Sequence, residues 1–278
     1  MWFVKWVLER QTLRYLSQDS GHSCSTLKRL FSAYLDRAPT FQIRRRQAAH
    51  LIIDGTYFTG DLCLVLYFDN DVKYTQLYRF SDKEDYRQIK EDLENLQLLG
   101  VQIESITCDG HKGLLRAIRK VYPQIILQRC VVHVQREALI WLRQKPKTLA
   151  SIELKPIVMK LCAVNTKNDQ LAWEQEFETW YAKHKAFVNE QIIHPQTGKK
   201  WYRHKLLHQT VSMIKKAQPC LFQYLHHPEV PKSTNALESF FGHLKDTLSI
   251  HRGLSFKHRR AFIQWYLNLK NRRSKRFS

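Results

Sequence analysis

The sequence predicts a mixed α/β fold with a helix-turn-helix at its N-terminus and a long helical stretch before the last helices. Three observations carry this. Short apolar runs closed by turn signals recur between about residues 41 and 130, the pattern of buried strands. Their order is three strands, helix, strand, helix, strand, which describes a mixed sheet and not a strict βα alternation. Outside that region, apolar residues recur at helical spacing.

The first 38 residues read as helices. Phe3, Val4, Val7 and Leu8, then Leu13, Tyr15 and Leu16, have helical spacing, and a polar break runs from Ser17 to Ser23. Gly21 suits the turn and Ser23 suits an N-cap. Leu27, Leu30, Phe31, Tyr34 and Leu35 then line one face of a second helix that carries Lys28, Arg29 and Arg37. A helix, a short turn with glycine and a basic helix outline a helix-turn-helix, although an ordinary helical hairpin has the same pattern. Pro39 ends the unit.

Strands are expected over Ala49–Asp54, Leu62–Phe68 and Lys73–Phe80, with a hairpin turn at Asp69-Asn70-Asp71. A helix follows from Ser81, with Ser81 and Glu84 as its capping box and Tyr86, Ile89, Leu93, Leu96 and Leu99 as its buried face, closed by Gly100. Next come a strand over Val101–Thr107, a short helix with Leu114, Leu115, Ile118 and Val121, and a strand over Ile125–Leu127. From about 133 to 230 the pattern is mostly helical, with Trp141, Trp173, Phe177, Trp180, Trp201 and Leu207 among the core candidates and a loop at His194–Gly198. Two further helices carry Leu237, Phe241, Leu244 and Leu248, then Phe262, Trp265, Tyr266 and Leu269, separated by Arg252-Gly253-Leu254-Ser255.

The 278 residues carry 45 Lys+Arg against 25 Asp+Glu, a formal net charge of +20. That balance points to a polyanion, with nucleic acid as the default. From His251 to the C-terminus there are nine Lys/Arg and no acidic residue, a tail suited to phosphates. The six cysteines are scattered with no CxxC, as expected of free thiols in a reducing compartment. No apolar run approaches the ~20 residues of a membrane span, and the N-terminus has no signal-peptide pattern. Cytoplasm is the expected location, without a membrane partner.

The chemistry is expected at carboxylates that leave strands. In Ala49–Tyr57 (AHLIIDGTY) the apolar run ends at Asp54-Gly55, and Val101–Gly110 (VQIESITCDG) ends at Asp109-Gly110. A carboxylate at the exit of a buried strand is costly unless paired, solvated or holding a metal. An Asp-Gly pair is also an ordinary turn signal. Mg²⁺ takes carboxylate oxygens together with waters and substrate phosphates. Two such ions ~3.5–4 Å apart cleave phosphodiesters using acidic side chains from different elements. A third acid, Glu238, lies in Ser233–Phe241 (STNALESFF); with Asn235 it also reads as a capping box. Lys245 follows two helical turns later on the same face, placed to meet a phosphate. His111 and Lys112 are further candidate phosphate contacts, as is Arg252 in the basic tail. Cys130 and His133 form C-x2-H, half a zinc site with no second pair at ligand spacing.

Asp54-Gly55-Thr56, Cys108-Asp109-Gly110, the run Cys130–Arg136 (CVVHVQR) and Thr234–Glu238 (TNALE) together resemble the motif set of Mutator-type DDE transposases, in order, over about residues 45 to 255. The resemblance implies an RNase H-like mixed-sheet core interrupted by an all-helical insertion. It implies Asp54, Asp109 and Glu238 as the catalytic, metal-binding triad for two Mg²⁺ or Mn²⁺ ions. It makes Cys130 and His133 a family signature, with His133 and Arg136 near DNA. The implied organisation is a helix-turn-helix unit at 1–40, the first part of the core at 41–145, the insertion at 146–230 and the rest of the core at 231–278. Related proteins often carry a zinc ribbon before the helical unit. Cys24 has no partners for one, so that unit is expected to be truncated. The implied function is metal-dependent cleavage of insertion-element ends and strand transfer, by a homodimer acting on double-stranded DNA in the bacterial cytoplasm or nucleoid. A catalytically silent DNA-binding protein on the same fold and a structure-specific nuclease are the alternatives.

Overall fold

The computed structural model describes residues 2–60, 62–83, 85–193 and 195–274. Its elements, in chain order, begin with α1 (Trp2–Leu8), α2 (Leu13–Ser20), α3 (Cys24–Leu35), β1 (Arg46–Phe58), β2 (Leu62–Asp69), β3 (Tyr74–Ser81), α4 (Tyr86–Leu98), β4 (Val101–Cys108), α5 (Lys112–Val121) and β5 (Ile126–Arg129). They continue with α6 (Val131–Leu142), α7 (Leu149–Lys160), α8 (Lys167–Val188), β6 (Gln191–Ile193), β7 (Lys200–Tyr202), α9 (Lys205–Ala217), α10 (Asn235–Ile250) and α11 (Phe256–Ser274). Two compact units share the chain: the first holds residues 1–104, 116–123 and 235–278, the second 105–115 and 124–234. The division falls within β4 and α5.

In the first unit the strand order is β3-β2-β1-β4. β1 and β2 pair antiparallel from Leu51↔Asp69 to Phe58↔Leu62, and β2 and β3 pair antiparallel with a register shift at Tyr67/Phe68. One face of this sheet, through Ile52, Leu64, Leu66 and Phe68, shares an apolar cluster with Leu237, Phe241 and Leu244 of α10, and with Phe262 and Tyr266 of α11. The N-terminal helices belong to the same cluster: Phe3, Trp6, Leu16, Leu27 and Phe31 are buried in it, and the Phe3 and Trp265 rings meet edge-to-face at 5.4 Å. The first helical stretch divides in two, because Arg10 adopts a positive φ (55°) between α1 and α2. The polar residues Ser17 to Ser20 are helical, not a break. The turn chemistry is as expected: Gly21 is left-handed and its N–H bonds the Ser17 carbonyl, and Ser23 caps α3 through Thr26 N.

The helix expected from Ser81 begins at Tyr86. Ser81 closes β3, and its hydroxyl donates to the Lys83 carbonyl, while Asp85 caps α4 by accepting from Arg87 N at 2.8 Å. Glu84, the other half of the expected capping box, lies outside the described residues. Leu99 is 49% exposed, so the buried face of α4 ends at Leu96.

In the second unit the end of β4 pairs in parallel with β5, from Ser105↔Ile126 to Cys108↔Arg129. A separate apolar cluster joins α6, α7, α8 and α9 around Leu154, Trp173, Phe177, Trp180 and Ile214. Trp173 and Trp180 satisfy their indole N–H groups on the Ile157 and Ala150 carbonyls. The expectation of an all-helical insertion is corrected here. β6 and β7 form an antiparallel hairpin, because Gln191-Ile192-Ile193 and Lys200-Trp201-Tyr202 are β-forming triplets flanking a Pro-Gln-Thr-Gly turn. Trp201, expected in the core, is 44% exposed on it.

Candidate active site

β1 does not stop at Asp54. It runs on to Phe58, with Asp54 opposite Leu66 and Gly55 opposite Val65. The expected strand exit and turn at Asp54-Gly55 are therefore corrected: β2 continues the ladder beyond them, so the pair lies mid-strand. Side chains two residues apart share a face, which sets Asp54 beside Ile52 on the face covered by α10. Leu237 and Phe241 bury themselves in that cluster, and Glu238 lies between them in sequence. A carboxylate oxygen of Asp54 and one of Glu238 lie within 4.8 Å of each other, although 184 residues separate them in sequence. Asp54 is 8% exposed, and its Oδ1 accepts from Gly55 N at 2.9 Å.

Two carboxylate oxygens this close can share a divalent cation. Donors to one Mg²⁺ at its ~2.0–2.1 Å bond length lie at most about 4.2 Å apart. Two hard oxygen donors within 4.8 Å fit one such ion after a small side-chain rotation, or a pair of ions side by side. Two other buried acids of this unit are tied to arginines. Asp69 accepts from Arg46 Nε and Gln76 Nε2, and Asp92 from Arg79 Nε and the Tyr67 hydroxyl.

In the second unit Asp109 stands just past β4, as expected, and its Oδ1 accepts from His111 N at 2.8 Å. Gly110 has φ 93°, a left-handed conformation that favours glycine. Arg129, at the end of β5, donates from Nη2 to the Asp109 carbonyl at 2.9 Å. The Cys108 thiol is pushed well above its ordinary range, by burial first and by the Asp109 charge second.

The C-x2-H pair has a defined job in this unit. Thr234 N donates to Cys130 Sγ at 3.3 Å, and the Thr234 hydroxyl sits 3.2 Å from His133 Nδ1. Burial raises the Cys130 thiol, but hydrogen bonds from His133 and Thr234 outweigh it and hold the group below its ordinary value. The segment before Thr234 is fastened as well: Thr107 Oγ1 donates to the Pro231 carbonyl at 2.8 Å, and Val131 N to the Lys232 carbonyl at 3.2 Å. Thr234 immediately precedes α10.

Of the residues expected on DNA, Lys28, Arg29, His111, Lys112, Arg136, Lys245 and Arg252 are exposed and His133 is half-buried. In the first unit, two clefts of about 470 and 490 Å³ adjoin the turn between α10 and α11 and share Arg252. Lys28, Arg14 and His258 line one, and Lys245, Arg259 and Tyr57 line the other. The Lys245 ammonium stands 5.7 Å from the Phe58 ring centroid. The sequence reading did not single out Arg14, His258 or Arg259 as cleft residues, nor Thr234 and Arg129 as partners of motif residues. Thr234 is quoted only as the first residue of the TNALE motif, and Arg129 stands immediately before the Cys130–Arg136 run.

A strongly basic α/β chain with two carboxylates held together over a sheet has the make-up of a protein that handles nucleic acid. The family profile described as "Transposase, Mutator family" matches residues 77–252, more than half of the chain. The chain belongs to the Mutator family of transposases, as the motif resemblance implied. It is 25% identical over 170 residues to the transposase for insertion sequence element IS1201 of Lactobacillus helveticus, covering 59% of this chain and 38% of that protein. It is 24% identical over 196 residues to the transposase for insertion sequence element IS905 of Lactococcus lactis subsp. lactis, covering 66% and 49%. A 90-residue stretch is 32% identical to the transposase for ISRM5 of Rhizobium meliloti, covering 32% and 23%. The matched region thus spans half or less of the length of each relative.

Proposed function

We propose that this chain carries the catalytic machinery of a DNA transposase that cuts the ends of an insertion element and joins them to target DNA. The observation that carries the reading is the meeting of the Asp54 and Glu238 carboxylates over the sheet, within 4.8 Å. Family membership supports it, and so does the charge of +20. The strand order β3-β2-β1-β4-β5, antiparallel among the first three strands and parallel at β4/β5, supports an RNase H-like core. The turn at Gly21 between α2 and α3 supports a helix-turn-helix that presents Lys28 and Arg29 to DNA.

In this reading Asp54, Asp109 and Glu238 would hold two Mg²⁺ or Mn²⁺ ions. Such ions, when bound, polarise the scissile phosphate and ease deprotonation of the attacking water or 3′-hydroxyl. Lys245 and Arg252 neutralise backbone phosphates beside the reacting strand. No covalent intermediate on the protein is required, so no serine or tyrosine nucleophile is assigned. Two element ends must be paired, and a homodimer on bacterial chromosomal DNA satisfies that.

The test is Asp54→Asn in a cleavage and joining assay with a duplex bearing the element's terminal repeats. Cleavage and joining are expected to vanish, while DNA retention on a gel and the melting temperature stay at wild-type values. Full Mg²⁺-dependent cleavage by Asp54→Asn overturns the assignment. Cleavage without joining by the wild type identifies a nuclease instead, and binding without either identifies a silent DNA-binding protein.

A further inference from the structure

Arg129 presents an energetic puzzle within the second unit. It is 8% exposed, and among the described residues it has no carboxylate in salt-bridge range. Its Nε is buried with no hydrogen-bond partner, while Nη2 donates to the main-chain carbonyl of Asp109 at 2.9 Å. A buried guanidinium with one donor unmatched and no counter-ion costs stability. The fold nevertheless makes room for it. A Cβ built on Gly110 lands 1.8 Å from Arg129 Cζ and 2.0 Å from its Nε, so the guanidinium fills the space that a side chain at position 110 would take. The parallel register that opposes Cys108 with Arg129 delivers it there.

We propose that Arg129 is the positioning residue of Asp109. It grips the Asp109 carbonyl at the point where the chain leaves β4, and Gly110 supplies the close approach that the grip requires. Holding the carbonyl fixes the peptide plane after Asp109, so the Cα–Cβ vector of Asp109 is fixed with it. The Asx turn to His111 N then leaves Oδ2 as the oxygen available to a cation. Arginine is suited to this and lysine is not equivalent, because a planar fork can lie flat over a glycine while still donating sideways. The inference rests on the proposed role of Asp109 as a metal ligand.

The test uses the full chain and Mn²⁺ as probe, with bound metal counted by electron paramagnetic resonance and stability read by thermal melting. Arg129→Met is expected to weaken Mn²⁺ binding about tenfold, the low end of what losing a partner of a metal ligand costs. It is expected to melt at or above the wild-type temperature, because the buried charge is gone. Arg129→Lys retains the charge without the fork and is expected to recover part of the affinity; it also serves if the methionine variant does not fold. Wild-type Mn²⁺ affinity in a folded Arg129→Met chain, or in Arg129→Lys if only that variant folds, overturns the proposal. Asp109→Asn is run in parallel. If it too binds Mn²⁺ like the wild type, Asp109 is no ligand and the site reading itself fails. If Asp109→Asn is weakened and the arginine variants are not, only the positioning role falls.

Discussion

Thr234 gives its main-chain N–H to the sulfur of Cys130, 104 residues earlier in the chain, across 3.3 Å. This contact explains the C-x2-H signature in physical terms. Both residues are fully buried, and an N–H without an acceptor there would be costly. The hydrogen bonds it accepts from Thr234 and His133 hold the thiol below its ordinary value against the effect of burial. Cys130 and His133 thereby hold the residue that immediately precedes α10, the helix bearing Glu238.

Cys130→Ala removes the acceptor and strands the Thr234 N–H in the core. The chain is expected to lose about 1–3 kcal/mol of stability in urea unfolding. Cys130→Ser is expected to lose less, since an oxygen still accepts. A midpoint within about 0.5 kcal/mol of wild type for Cys130→Ala would show that the clamp is dispensable.

His251 makes stability depend on pH. Burial holds its imidazole below the ordinary value of 6.5, outweighing the bond from Nε2 to the Trp6 carbonyl at 2.9 Å, and its ring packs 4.4 Å from Trp6. Above that value both folded and unfolded chains are neutral at this site. As pH falls below it, the unfolded chain takes up the proton first, so stability drops with acid. His251→Gln keeps a donor for the carbonyl and removes the titration. Urea unfolding at about pH 7.5 and pH 5.5 is expected to show a smaller acid loss in the variant, by roughly 1.4 kcal/mol for each unit of depression. Equal losses in both chains would exclude His251 as the cause.

Glu238→Asp tests reach. It keeps the charge and withdraws the carboxylate by one methylene. A displacement on the order of 1 Å at a reacting centre costs about 100-fold. Cleavage is expected to fall by that order while the melting temperature stays put, because Glu238 is only half-buried. Activity within about threefold of wild type would separate Glu238 from the metal.

Lys245 and Arg252 serve the phosphate reading. Replacing either with alanine is expected to lower the slope of log binding constant against log salt by about 1, with little change in sequence preference. The measurement is fluorescence anisotropy with one duplex across a salt series. An unchanged slope in both variants removes the clefts beside the α10–α11 turn from the DNA path.

Much of the sheet was legible because strand residues announce themselves locally: Leu51-Ile52-Ile53, Leu62–Phe68 and Val101–Thr107 are apolar runs bounded by turn residues. Asp109 follows such a run and stands at the strand exit that its sequence predicts. Asp54-Gly55 has the local pattern of an exit and is mid-strand, since pairing with β2 overrides a local turn signal. The capping of α4 moved to Asp85, and a hairpin interrupts the helical insertion, because caps and short strands depend on a few atoms and leave no periodic trace.

By itself, the sequence determined most element types, the basic composition, the candidate acids and the family motifs, all of which are set by residue type and spacing. Only the tertiary structure decided which acids meet. Asp69 and Asp92 are the same residue type as Asp54, and the fold gives them Arg46 and Arg79, while it brings Glu238 to Asp54. It also decided that Cys130 holds Thr234 and that Arg129 fills the space beside Gly110. The physical reason is range: periodicity reaches over a few residues, whereas these meetings span from 13 to 184 residues and follow from which apolar faces bury each other.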